Sequence, residues 1–349
     1  MSNRLRDAIT IRVLTNLPAI EQAAGANIRV RVLPPSSSRA SLAKALLTTW
    51  VKPAVVFINS DHTTVLHCCL WLRLVARSRC KLVCADLNFN KPSSTIRSRL
   101  LVWLKRTLLR RVDVFLLLQK EFAGYQRYYG IDARRAAYLP WKVNHLSLIQ
   151  TLQPSDDGYV FAGGVTHRDW TTFGKAVSGL PIRVIVSIPN DEALRRAGQT
   201  ALLPADGTFG DNVEVHRHGP DPLEWLRLAA HARMVVMPIS GESLNPSGIS
   251  TALSILALGK PLVISEGPTT VGILDSGRAL VVPSSDPTAL RAAILDLNGD
   301  EKRRERLVRA GSRYAAECGG DLQLYSNMLQ AIEAAAIGRD PGSIRLSPE

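Results

Sequence analysis

Ser247-Gly-Ile-Ser-Thr251-Ala-Leu-Ser-Ile-Leu-Ala-Leu-Gly259-Lys-Pro-Leu-Val-Ile-Ser265 reads as a small-residue turn, a buried helix and a buried strand beginning at Pro261. Leu253, Leu256, Ala257 and Leu258 recur at helical spacing, and Gly259-Lys260-Pro261 stops the helix sharply. Gly248 permits close backbone approach, and the first N–H groups of a helix starting near Ser250 have no intrahelical partner. Ser247, Gly248, Ile249, Ser250 and Thr251 therefore outline a phosphate cradle. The same residues also suit an ordinary helix capped by serine.

Around this stretch, short apolar runs alternate with longer helical patterns. Ile9–Leu14, Ile28–Leu33, Ala54–Ile58, Lys81–Ala85 and Val112–Leu118 form a first series of strands, separated by helical patterns at Ser41–Trp50, Val65–Ala76 and Ile96–Arg111. A polar linker, Gln150 to Gly158, precedes a second series: Tyr159–Ala162, Ile182–Ser187, Val213–His216, Met234–Pro238, Pro261–Ser265 and Ala279–Val282. The alternation predicts an α/β fold of two doubly wound, Rossmann-like parallel-sheet domains facing a cleft. The expected units are residues 1–150, residues 151–320, and a C-terminal helix and polar tail, 321–349, able to pack back on the first domain. A chain of 349 residues is also longer than one core usually organises.

Charge separates the two halves. Up to Gln150 there are 24 Lys and Arg against 7 Asp and Glu, and beyond it 19 against 23. Such asymmetry implies an anionic partner for the first half. On a helical wheel over Ile96–Val112, Leu101, Leu104, Leu108 and Val112 share one stripe, while Arg99, Trp103, Arg106 and Arg110 lie roughly opposite. A tryptophan among arginines suits an anionic membrane surface; it also suits a solvated basic face with one exposed aromatic. No nucleic-acid recognition motif accompanies the charge, so no nucleic-acid partner is expected. No apolar run reaches membrane-spanning length, and no signal peptide is visible. The five cysteines, Cys68, Cys69, Cys80, Cys84 and Cys318, form no disulfide framework and fit a reducing cytoplasm, with Cys80 and Cys84 read as core rather than metal ligands.

Ligands of doubly wound sheets bind beyond the carboxyl ends of the strands. Asn59-Ser-Asp61-His62, Asp86-Leu-Asn88 and Gly163-Gly164-Val-Thr-His-Arg168-Asp169 occupy such ends. Gly163 and Gly164 allow backbone amides close to a ligand, and Arg168 has the fork geometry to clamp a phosphate or to pair structurally beside a helix cap. Serine-hydrolase, P-loop, GxGxxG and HExxH patterns are absent.

The order of these motifs resembles the GT-B glycosyltransferases, in particular the family-4 (group 1) type, over most of the chain after about residue 50. Val55-Val-Phe-Ile-Asn-Ser-Asp61-His62, Tyr159-Val-Phe-Ala-Gly-Gly-Val-Thr-His-Arg168-Asp169-Trp170, Val235-Val-Met-Pro238 and Ser254-Ile-Leu-Ala-Leu-Gly-Lys-Pro-Leu-Val-Ile264 carry the likeness, continued by Leu280-Val-Val-Pro283. The resemblance implies sugar transfer from a nucleotide-diphosphate donor to a glycan or lipid-linked acceptor, with a retaining outcome. It places Gly163, Gly164, Arg168, Ser247–Thr251 and Ser254 at the donor, Glu242 at the sugar hydroxyls, and Asp61 or His62 at the sugar or acceptor. With the cysteine usage and the basic first half, the expected place is the cytoplasm, peripheral on the inner face of the cytoplasmic membrane, and the resemblance suggests cell-envelope or exopolysaccharide synthesis. No cofactor beyond the nucleotide sugar and no metal is expected. Two departures stand out: Ser254 occupies the place of the ribose-binding Glu, and Asn16-Leu-Pro-Ala replaces a Gly-Gly loop after the first strand. They keep two alternatives open, an inactive scaffold of this fold and a nucleotide-sugar epimerase or hydrolase.

Overall fold

The computed structural model describes residues 10–34, 41, 44–46, 54–74, 80–197, 209–241, 243–275 and 277–348. Glu242 and most of the helical pattern Ser41–Trp50 lie outside the described residues.

Two six-stranded, wholly parallel sheets carry the fold. The first comprises β1 (Ile11–Thr15), β2 (Ile28–Val32), β3 (Val55–Asn59), β4 (Lys81–Ala85), β5 (Val114–Leu117) and β6 (Ala136–Tyr138), in the order β2-β1-β3-β4-β5-β6. The second comprises β7 (Val160–Gly163), β8 (Val184–Pro189), β9 (Val213–His218), β10 (Met234–Met237), β11 (Leu262–Ser265) and β12 (Leu280–Val282), in the order β12-β11-β10-β7-β8-β9. Helices cover both faces, so inner strands such as Val-Phe-Leu-Leu in β5 and Met-Val-Val-Met in β10 are buried at every position and read as unbroken apolar runs. The edge strand β9 is half-exposed, which explains its alternating Val213-Glu-Val-His-Arg-His218. Strand β6 is too short and too alanine-rich to announce itself in sequence.

The C-terminal helix Asp321–Ala336 belongs to the first sheet. Leu324, Met328, Leu329 and Ile332 share a core with Val55, Phe57, Val83, Val114 and Leu116. The chain returns there along the helix Glu301–Cys318, whose Tyr314 hydroxyl meets that of Tyr138 at 2.8 Å; just beyond it, the Gly319 carbonyl accepts from the Val143 amide, also at 2.8 Å. All five cysteines are buried and outside any disulfide, and burial pushes the Cys84 thiol well above its ordinary pKa.

The helix Ile96–Leu109, capped by Thr95 onto the Ser98 amide, corrects the wheel drawn from sequence. Val102, Leu108 and Leu109 pack on the core, whereas Leu101 and Leu104 are exposed together with Ile96, Leu100 and Trp103. The inward stripe is therefore set by the i, i+7 pair Val102 and Leu109. Leucines occur on both faces of this helix, so leucine spacing alone could not choose between them.

Because Met328 is fully buried where the last helix closes the first sheet, Met328→Ala should cost about 2–5 kcal/mol of stability. Denaturant unfolding measures this; an unchanged midpoint would contradict the packing of that helix on the first domain.

Candidate functional site

The carboxyl ends of both sheets open onto a cavity of about 380 Å³ between the domains. Its floor begins where β7 runs into Gly163-Gly164. Gly164 has φ +118°, and a Cβ there would come within 2.2 Å of the Arg168 guanidinium, so only glycine lets the arginine fold back over the strand end. Arg168 donates from Nε to the Gly163 carbonyl and from Nη1 to the Thr166 carbonyl, both at 2.9 Å. It is 7 % exposed, and burial lowers its pKa to about 10, which leaves it charged at neutral pH. Among the described residues no carboxylate lies within ion-pairing distance of it. A buried cation held only by backbone carbonyls carries a desolvation cost that an anionic ligand would offset.

The helix Ile249–Ala257 starts against this arginine. Gly248, at φ +83°, is its N-cap and supplies no side-chain cap; a Cβ there would lie 2.7 Å from Met237 Cε and 3.3 Å from Arg168 Nη1. The first turn, Ile249, Ser250 and Thr251, lines the cavity beside Gly163, Gly164, Thr166 and Arg168. Helix terminus and guanidinium thus present positive potential to the same space. Ser247 and Ser254 stand outside that lining. The Ser247 hydroxyl meets that of Ser243 at 2.9 Å, and its carbonyl accepts from Thr269 Oγ1 at 2.7 Å. Ser254 is 1 % exposed and donates to the Ser250 carbonyl at 3.0 Å, with the Asn144 carbonyl at 3.4 Å. Asp169 caps the next helix through the Thr172 amide and hydroxyl.

On the first domain the structure separates the two candidates from the cavity. Asp61 accepts from the Thr64 amide at 2.9 Å and from the Thr64 hydroxyl at 2.5 Å, the geometry of a helix cap. His62 stands edge-on to Phe89, ring centroids 5.1 Å apart; burial first, then Lys105, lowers its pKa. Neither lines the cavity; Asp86, Asn88 and Leu118 do, with Trp141 from the connecting segment. Asn16, in place of a Gly-Gly loop, clamps β1 to the end of β3 through the Asn59 amide and carbonyl, both at 2.8 Å.

Ser187, His218, Trp225 and Trp141 also line the cavity and were not candidates from sequence. His218 ends β9, and Ser187, two residues short of the end of β8, ends the apolar run Ile182–Ser187, so the strand-end rule applied to every run would have found both. Ser187 Oγ and Trp141 Nε1 are buried and find no hydrogen-bond partner among the described residues. Buried polar atoms of this kind call for a ligand or water.

This architecture, two facing parallel sheets with a cleft between their carboxyl ends, is the GT-B fold. HepE of Anabaena, solved in complex with UDP, superposes with a TM-score of 0.61 at 12 % identity over 93 % of this chain and 100 % of that one. A glycosyltransferase of Rickettsia africae superposes with a TM-score of 0.61 at 11 % identity over 94 % and 99 %. In sequence, the D-inositol 3-phosphate glycosyltransferase of Thermomonospora curvata is 27 % identical over 222 residues, 60 % of this chain and 49 % of that protein. The chain thus spans about half the length of that relative. No family model matches the sequence.

Gly164→Ala should cost at least about 1–3 kcal/mol, because alanine is strained at this φ and its methyl displaces the Arg168 guanidinium. Chemical denaturation reads this directly, and a wild-type midpoint would show that the arginine is not seated on the glycine.

Proposed function

We propose that this protein is a glycosyltransferase that takes a sugar from a nucleotide-diphosphate donor. The observation that carries the reading is Arg168, a buried guanidinium with no carboxylate partner among the described residues, seated against Gly164 and beside the uncapped start of the helix Ile249–Ala257. Breaking a glycosyl–phosphate bond leaves negative charge on the diphosphate, and fixed donors aimed at that charge are the main electrostatic task. Arg168 and the first-turn amides near Ser250 and Thr251 are placed to perform it. The UDP bound to HepE, a protein of the same fold, supports a nucleotide donor. The acceptor is a glycan or lipid-linked molecule of cell-envelope or exopolysaccharide synthesis, and by resemblance the anomeric configuration is retained.

Arg168→Met removes the charge while keeping most of the volume. It should weaken UDP or GDP binding by about 1.5–3 kcal/mol in calorimetry, with thermal melting confirming the fold. Equal affinity in wild type and variant would sink the assignment. Release of nucleotide from a nucleotide sugar distinguishes transfer from isomerisation of the donor, and binding without any turnover would favour a scaffold.

The first domain docks on the inner face of an anionic membrane through the helix Ile96–Leu109. Ile96, Leu100, Trp103 and Leu104 form an exposed apolar ridge, with Trp103 at 62 % exposure. Arg99, Arg106 and Arg110 flank it on one side and Arg97 on the other. Apolar side chains at headgroup depth, bordered by arginines worth about 1 kcal/mol each near anionic lipid, describe an interfacial helix. Among the described residues no helix is long and apolar enough to cross a membrane. In co-sedimentation with phosphatidylglycerol vesicles, Leu100→Glu with Trp103→Glu should release the protein, as should Glu at Arg99, Arg106 and Arg110. High salt should weaken only the charge-dependent part. Equal binding to phosphatidylcholine vesicles, or none to either kind, would contradict the docking.

A further inference from the structure

Asp86 is the one carboxylate among the described residues that lines the cavity. It comes from the half of the chain with 7 acidic residues against 24 basic ones, where three of the other carboxylates hold local structure. Asp61 caps a helix, Asp113 pairs with Lys81 and Arg111, and Asp132 pairs with Arg134. Asp86 has no cation at ion-pairing distance among the described residues. It accepts hydrogen bonds from the Ser60 hydroxyl and, at 3.3 Å, from Asn88 Nδ2, and burial raises its pKa above the ordinary carboxylate value.

Its backbone is held in a conformation that side chains seldom adopt. Asp86 has φ +50° at the end of β4, and Ser60, at the end of neighbouring β3, has φ +54°. The Ser60 amide bonds the Ala85 carbonyl at 3.1 Å, so the two left-handed residues are locked side by side. The segment beyond is fixed from the opposite domain: the Phe89 amide donates to Asn245 Oδ1 at 2.9 Å. Strain at a cleft, maintained from both domains, points to a side chain whose direction matters.

We propose that Asp86 is the specificity residue of the sugar end of the cleft, binding hydroxyls of a neutral sugar and rejecting donors whose sugar carries a negative charge. The proposal rests on the nucleotide-sugar reading and extends it to the class of sugar. The cleft has two electrical ends. Arg168 and the helix start, from the second domain, receive the diphosphate; Asp86, from the first, faces what the diphosphate carries. A carboxylate is an acceptor only, and Ser60 and Asn88 leave it lone pairs for two further hydroxyl donors. A carboxylate on the sugar would instead meet like charge in a partly desolvated space.

Asp86→Asn tests this. Asparagine tolerates the left-handed backbone and keeps the shape, so the variant removes charge without removing the fold. Calorimetry would compare UDP, UDP-glucose, UDP-galactose, UDP-N-acetylglucosamine and UDP-glucuronate, with GDP and GDP-mannose as a second series. Wild type should bind the best neutral donor at least about tenfold more tightly than the uronate. In Asp86→Asn that ratio should fall to within about threefold while free nucleotide affinity stays at the wild-type value. A wild-type ratio near one, a ratio unchanged in the variant, or an equal loss of free nucleotide and nucleotide-sugar affinity would overturn the role of Asp86. Failure of the wild type to bind any nucleotide would overturn the donor-site reading itself, and the sugar selectivity with it.

Discussion

The cleft is organised around a buried positive charge, Arg168, that no carboxylate among the described residues neutralises. Arg168 is enclosed by Gly164, Gly248 and the start of the helix Ile249–Ala257, and its only described partners are backbone carbonyls. Each neighbour follows from that burial. Gly164 must be glycine to leave room for the guanidinium, Gly248 must be glycine to let the helix begin beside it, and the helix therefore lacks a side-chain cap. A protein that wanted only stability would place an apolar residue or an ion pair here. A cation with no carboxylate partner among the described residues, over an open cavity, makes sense when an anion completes it.

A wedge from the second domain ties the two domains together beside the cavity. Leu244 packs into the core of the first domain, where a Cβ on Gly124 would come within 2.6 Å of it, and its carbonyl accepts from Gln119 Nε2 at 3.0 Å. Asn245 Oδ1 accepts from the Phe89 amide and, at 2.6 Å, from the Tyr125 hydroxyl. The loop that leads toward the phosphate cradle is thus also the one that grips the first domain. Domain approach and ligand contact are mechanically linked through residues 243–251.

Much of the architecture was legible because parallel strands buried on both faces leave unbroken apolar runs, and those runs recur twice. The register of Gly163-Gly164 and of the helix after Gly248 was also legible, since both depend on glycine at positions with positive φ. What was hidden is tertiary. Asp61 turning onto Thr64 is a local cap, readable from an Asp just before a helical run, but nothing in Ala85-Asp-Leu-Asn88 says that Asp86 will turn into the cleft. The exposed ridge of the helix Ile96–Leu109 was misread by one face, because its leucines lie on both sides. Trp141 was invisible as a site residue because a lone tryptophan is an ordinary core component until its polar atom proves to have no partner.

On this reading the Arg168 guanidinium and the helix start after Gly248 together bind the diphosphate of a nucleotide. A crystal structure of the protein soaked with UDP or GDP tests it most directly. Phosphate oxygens are expected within hydrogen-bonding distance of Arg168 and of the amides near Ser250 and Thr251, with the nucleoside directed toward Ser187, His218 and Trp225. A nucleotide bound elsewhere, with Arg168 still contacting only the Gly163 and Thr166 carbonyls, would contradict it.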